Sequence, residues 1–111
     1  MTRANLYSGL APAAAERVDT LFAGGGTRIE RIVSWGQASP PGFWYDQAEG
    51  EWVALLSGGA GLHLLEPDEE VTLAPGDWLW IAPHRRHRVT WTAADAATVW
   101  LAVCVIGMTV P

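Results

Sequence analysis

An all-β fold, a barrel or sandwich preceded by one short helix, is what three features of this sequence predict. Turn-forming residues recur at short intervals: "GGG" at 24–26, "SPPG" at 39–42, "SGGAG" at 57–61, "EPDEE" at 66–70, "APGD" at 74–77 and "AADAA" at 93–97. The stretches between them have strand length and are rich in Val, Ile, Thr and Trp. With 50% hydrophobic residues in 111, the chain can bury a core as one domain without metal or disulfide staples.

In chain order, residues 13–23, "AAAERVDTLFA", place Val18, Leu21 and Phe22 at helical spacing ahead of three glycines that would end a helix. Residues 1–27 therefore read as an N-terminal extension with a short helix, and 28–111 as the barrel domain. Strands are expected at "TRIERIVSW", "FWYDQ", "EWVALLS", "LHLLE", "VTL", "WLWIA", "HRVTWT" and "TVWLAVCVI". No apolar h-region opens the chain, and the longest apolar stretch, 96–106, is interrupted by Thr98 and too short to cross a bilayer as a helix. The expectation is a soluble, cytoplasmic protein that does not engage membranes. A net charge of -5 and a pI near 5.0 argue against a nucleic-acid partner. The single cysteine, Cys104, lies in an apolar run and reads as a core residue.

Strand parity places the chemistry. If Val89 faces inward on "HRVTWT", His87 and Trp91 face inward with it, and if Val53 and Leu55 are buried, Glu51 shares their face. An imidazole and a carboxyl inside an apolar barrel need each other, a metal ion or a ligand. His63 alternates with Leu62 and Leu64 and is expected to face solvent. Trp78 and Trp80 take the parity opposite to Leu79 and Ile81. They are expected on the outer face, either in a homodimer interface or under the N-terminal segment.

"GFWYDQAEGEWVALLSG" followed by "PGDWLWIAPHRRHRV" resembles the two motifs of the cupin superfamily, small β-barrels of jelly-roll type. Cupins carry two histidines one residue apart, a glutamate three or four residues on, and a glycine seven beyond the glutamate. Glu51 and Gly58 match the last two. The second motif runs from a glycine-aspartate turn through an apolar strand to a closing histidine, matched by Gly76, Asp77 and His87. The resemblance covers roughly residues 28 to 105 and implies a jelly-roll barrel, which the short helix read at 13–23 would precede.

The departures fall on the metal ligands. Counting back from Glu51, the shorter gap puts Tyr45 and Gln47 where the family has its two histidines, and the longer gap puts Trp44 and Asp46 there. Ahead of His87 the family's glycine is replaced by His84, and its late asparagine by Trp91.

The resemblance thus implies a divalent metal (Zn, Ni, Mn or Fe) on His87 and Glu51, with Gln47 or Asp46 as a third ligand. The same residues also read as a metal-free polar pocket in which Glu51, His87 and Tyr45 hydrogen-bond. Tyr45 and Trp91 are candidate pocket walls, with Trp91 alternatively core packing. His84, Arg85 and Arg86, in the basic turn "APHRRHRV", are candidates for contacting a small anionic ligand. Two functions follow from this reading. One is a metal-dependent enzyme acting on a small anionic substrate; the other is a non-catalytic, metal-free module that binds a small molecule.

Overall fold

The computed structural model describes residues 3–107. Eight strands make it up: β1 (Arg17–Gly24), β2 (Thr27–Ser34), β3 (Gly50–Ser57), β4 (Ala60–Leu64), β5 (Glu69–Leu73), β6 (Trp78–Ile81), β7 (His87–Thr92) and β8 (Thr98–Val105). They form a five-stranded sheet, ordered β1-β2-β8-β3-β6, and a three-stranded sheet, ordered β5-β4-β7. All pairings are antiparallel. Between the sheets lies one core built on Val53, Leu55, Leu62, Leu64, Leu73, Ile81 and Trp100. Each such aliphatic or aromatic side chain contributes roughly 1.5–3 kcal/mol of burial free energy.

Among the described residues there is no helix, which corrects the expectation for 13–23. Residues 17–24 form β1, paired with β2 along the edge of the larger sheet. The helical spacing of Val18, Leu21 and Phe22 has a different origin. A bulge between Thr20 and Phe22 inserts Leu21 as an extra residue, so Val18 and Phe22 project to opposite faces. Gly25 and Gly26, with φ of 60° and 78°, form the two-residue turn that returns the chain into β2, where both central residues need positive φ. "FWYDQ" also forms no strand; it contributes a single bridge, Tyr45 to His87. The other expected strands are present within a few residues of their expected ends.

The N-terminal segment lies against the outer face of β2. Arg31, with a side chain only 7% exposed, donates to the carbonyls of Leu6 and Ser8 at 3.0 and 2.6 Å and to Asp19 Oδ2 at 3.1 and 2.7 Å. Trp35 Nε1 donates to the Leu10 carbonyl at 2.9 Å. No helix of the described residues is long and apolar enough to cross a membrane.

Register aligns the polar residues of the inner face. Arg28 lies opposite Cys104, Cys104 opposite Glu51, and Glu51 opposite Ile81, so these four form one row across four strands. The next row is Glu30, Ala102, Val53 and Leu79. Beside the inward side chains of these rows, space remains between the two sheets.

Candidate functional site

That space is a cavity of about 290 Å³. Its apolar wall is Val18, Ile32, Val53, Leu62, Ile81 and Val89, with Trp100. Tyr45, Gln47, Glu51 and His87 form one polar cluster in it, and Glu16, Arg28 and Glu30 supply its other charged groups. Glu16 and Val18, exposed on and beside the edge strand β1, mark the mouth.

His87 is placed by β7 parity and held by its neighbours. Its backbone exchanges hydrogen bonds with Tyr45, N to O at 3.1 Å in one direction and 2.8 Å in the other. The two rings stack at 5.3 Å. Its Nδ1 is 2.9 Å from the Arg85 carbonyl, an acceptor only, so Nδ1 carries the proton. Nε2 is then the lone-pair nitrogen. It makes no hydrogen bond and lies 3.8 Å from Glu51 Oε1, beyond hydrogen-bonding distance. Burial holds the imidazole below its ordinary pKa, which keeps it neutral.

Glu51 is equally enclosed, with a side chain 14% exposed. Burial pushes its carboxyl above the ordinary range, and a hydrogen bond donated by the Cys104 thiol at 3.7 Å offsets part of the rise. Burial, then the neighbouring Glu51, pushes that thiol up to about 12. Cys104 is therefore a protonated donor, not a thiolate. Burial, then Glu16 and Glu51, likewise raises the Tyr45 phenol.

Among the described residues Arg28 is the one cation lining the cavity, and it is committed. It forms a bidentate pair with Glu49, at 2.7 and 2.9 Å, and lies 3.1 Å from Glu30. Its backbone stands two strands from that of Glu51, about 10 Å at ordinary strand spacing, while its guanidinium reaches across to Glu49 and its charge offsets part of the rise in the Glu51 pKa.

Four of the residues singled out by sequence thus converge: Tyr45, Gln47, Glu51 and His87. The shorter motif gap is the one the fold uses. The remaining five lie elsewhere. Asp46 points away from the cavity and pairs with His84 at 2.7 Å. Arg85 binds the carbonyls of Leu65 and Pro67 and the Glu69 carboxylate, and Arg86 binds Glu66. The basic turn is thereby neutralised by neighbouring carboxylates outside the cavity.

Trp91 is also outside, 44% exposed, which corrects its inward placement. A bulge inserts Thr90 between Val89 and Trp91, so the inward row runs His87, Val89, Thr92. The indole lies on Gly61, where a Cβ would clash with Nε1. His63 pairs with Asp68 at 2.6 Å on the outer side of β4. Of the outward indoles, Trp78 is 61% exposed and packs on Trp52, while Trp80 is half-buried over Gly50. Sequence reasoning missed Glu16, Arg28 and Glu30. The inward parity of 28, 30 and 32 on "TRIERIVSW" was the available signal for the last two.

No family model matches the chain, and no curated protein matches it. Solved structures do. A protein of Ralstonia eutropha JMP134 described as a "putative mannose-6-phosphate isomerase" is 44% identical, with 96% of this chain and 100% of that one covered and a TM-score of 0.92. A cupin superfamily protein of Desulfitobacterium hafniense DCB-2 is 16% identical over 86% of this chain and 82% of that one, with a TM-score of 0.71. Hydroxypropylphosphonic acid epoxidase of S. wedmorenis, in complex with fosfomycin, is 17% identical over 71% of this chain and 43% of that one, with a TM-score of 0.58.

Proposed function

This chain belongs to the cupin superfamily, and from that premise we propose that it is a metal-free member that binds a small molecule in its barrel. The observation that carries the reading is the convergence of Tyr45, Gln47, Glu51 and His87 on one cavity open at the β1 edge, with the His87 lone pair and the Glu51 carboxyl both turned into it and not bonded to each other. A few polar groups in an apolar pocket are the usual makings of a small-molecule site.

The donor set does not fit a resident transition metal. Such a centre takes about three strong protein ligands with an open position. His87 and Glu51 supply two. The next candidates are a neutral amide on Gln47 and a phenol on Tyr45 that burial keeps protonated. Cys104 keeps its proton as well. Among the described residues no group of three or more His, Cys, Asp or Glu side chains could hold a metal ion.

The name given to the Ralstonia protein invites a sugar-phosphate isomerase reading, since Glu51 and His87 would supply a proton donor and an acceptor side by side. The cavity gives this less support. A buried phosphate needs an uncommitted cation, and Arg28 is saturated by Glu49 and Glu30.

Calorimetric titration of the protein and of His87→Ala with zinc, nickel, manganese and ferrous iron tests the metal-free reading. Weak, equal binding by both is expected. Tight binding that His87→Ala abolishes would overturn it and return the site to metal chemistry. Fragment binding followed on the methyl signals of Val53, Leu62 and Val89 tests the pocket itself, with Ile32→Phe, at a residue lining the cavity, expected to weaken binding by filling part of the space.

A further inference from the structure

We propose that the occupant of this cavity is a small organic cation, a protonated amine on a single-ring apolar body, with its charge against Glu51. The assignment rests on the binding-pocket reading above and narrows it to a chemical class. Four charged residues line the cavity, three carboxyls (Glu16, Glu30 and Glu51) against the one guanidinium of Arg28. That guanidinium is already held by Glu49 and Glu30. An anion entering would meet an excess of carboxyls and, among the described residues, no free cation.

Glu51 is the group left waiting. Around it stand the Cys104 thiol at 3.7 Å, which donates to one oxygen, and His87 Nε2 at 3.8 Å from the other, which carries no proton to give. The His87 side chain is 93% enclosed, being 7% exposed, and Nε2 faces the cavity without a hydrogen bond. A carboxyl and an imidazole lone pair, two acceptors side by side, call for a ligand with several N–H donors at one end. An ammonium has three.

Away from the cluster of Tyr45, Gln47, Glu51 and His87, the lining disfavours a polyol with hydroxyls all round. Six aliphatic side chains (Val18, Ile32, Val53, Leu62, Ile81 and Val89) offer hydroxyls no partners there, and a buried hydroxyl without a partner is penalised. They suit a hydrocarbon body, and about 290 Å³ suits one ring. Tyr45 and Trp100 add aromatic surface, which attracts a desolvated cation.

Three probes matched in shape and differing in charge decide the matter: benzylammonium, benzyl alcohol and benzoate, titrated near neutral pH into the whole protein and into Glu51→Gln, with affinity read from chemical-shift changes of the cavity methyls. Benzylammonium is expected to bind at least about tenfold more tightly than benzyl alcohol, and benzoate not measurably. In Glu51→Gln the preference for the cation should vanish while benzyl alcohol still binds, which shows that the barrel is intact. Equal or tighter binding of benzyl alcohol or benzoate to the parent protein would overturn the cation assignment and leave the pocket standing. A cation preference that survives in Glu51→Gln would overturn the role given to Glu51. If none of the probes moved the cavity methyls, the pocket reading itself would fall, and the assignment with it.

Discussion

His87 Nε2 and Glu51 Oε1 face the same cavity 3.8 Å apart, close enough to share a ligand and too far apart to satisfy each other. The spacing follows from the backbone. Glu51 is fixed in register between Cys104 and Ile81 in the larger sheet, while His87 is fixed on β7 of the smaller one by its bonds to Tyr45 and by the Arg85 carbonyl.

A buried carboxyl whose one hydrogen-bond donor among the described residues is the Cys104 thiol carries a stability cost. Because burial raises its folded pKa, Glu51 costs nothing below its unfolded value near 4.5, and the cost grows as pH rises from there until it levels off above the folded value. Glu51→Gln should therefore match the parent in Tm near pH 4 and exceed it at pH 7.5, by about 1 kcal/mol or roughly 5 °C. Thermal melts of both proteins across this range check the sign; a variant less stable at pH 7.5 would show that the carboxylate is stabilised by its surroundings.

Arg31 ties the N-terminal segment to the barrel, and truncating it should be costly. Arg31→Ala leaves two carbonyls and Asp19 without their shared donor, an expected loss of about 3 kcal/mol. The Arg31 hydrogen bond lowers the Asp19 pKa, so the contribution of the pair is complete above the unfolded value near 3.8 and is lost as pH falls below it. Denaturant melts should show the parent converging toward Arg31→Ala as pH drops below 4. Limited proteolysis should cut the variant first within residues 3–15.

Much of the fold was legible because parity and turn residues report directly on pleat and hairpin geometry. Seven of the eight strands, and the inward rows through Glu51, Val53 and Leu55 and through His87 and Val89, follow from them. Two of the failures share one cause. A bulge adds a residue without any compositional mark, so it reverses parity beyond itself. Thr90 on β7 turned Trp91 outward, and Leu21 on β1 gave an edge strand the spacing of a helix. The pairing of His84 with Asp46 and of Arg85 and Arg86 with Glu69 and Glu66 was hidden for another reason: these partners are 16 to 38 residues apart and meet only in the folded chain.

Trp78 and Trp52 pack at 5.9 Å on the outer face of the larger sheet, beside the half-buried Trp80. An aromatic patch of this kind favours the homodimer expected from the sequence. Sedimentation velocity at micromolar concentration is expected to give a dimer for the parent and a monomer for Trp78→Arg. A monomeric parent would mean the patch is simply solvated.

His84 occupies the left-handed region, φ 61°, at the position where the family motif has glycine. A side chain there carries a backbone cost of about 1–2 kcal/mol. The hydrogen bond to Asp46 at 2.7 Å offsets only part of it, both partners being more than half exposed. Replacing His84 by alanine removes the pair and keeps the strained Cβ; replacing it by glycine removes both. His84→Gly should accordingly be more stable than His84→Ala by about 1 kcal/mol, the reverse of the order these residues show in regular structure. Because the pair stands outside the cavity, both variants should bind benzylammonium within about twofold of the parent. Equal Tm values for the two would show that the turn relaxes to a right-handed conformation once the Asp46 contact is gone.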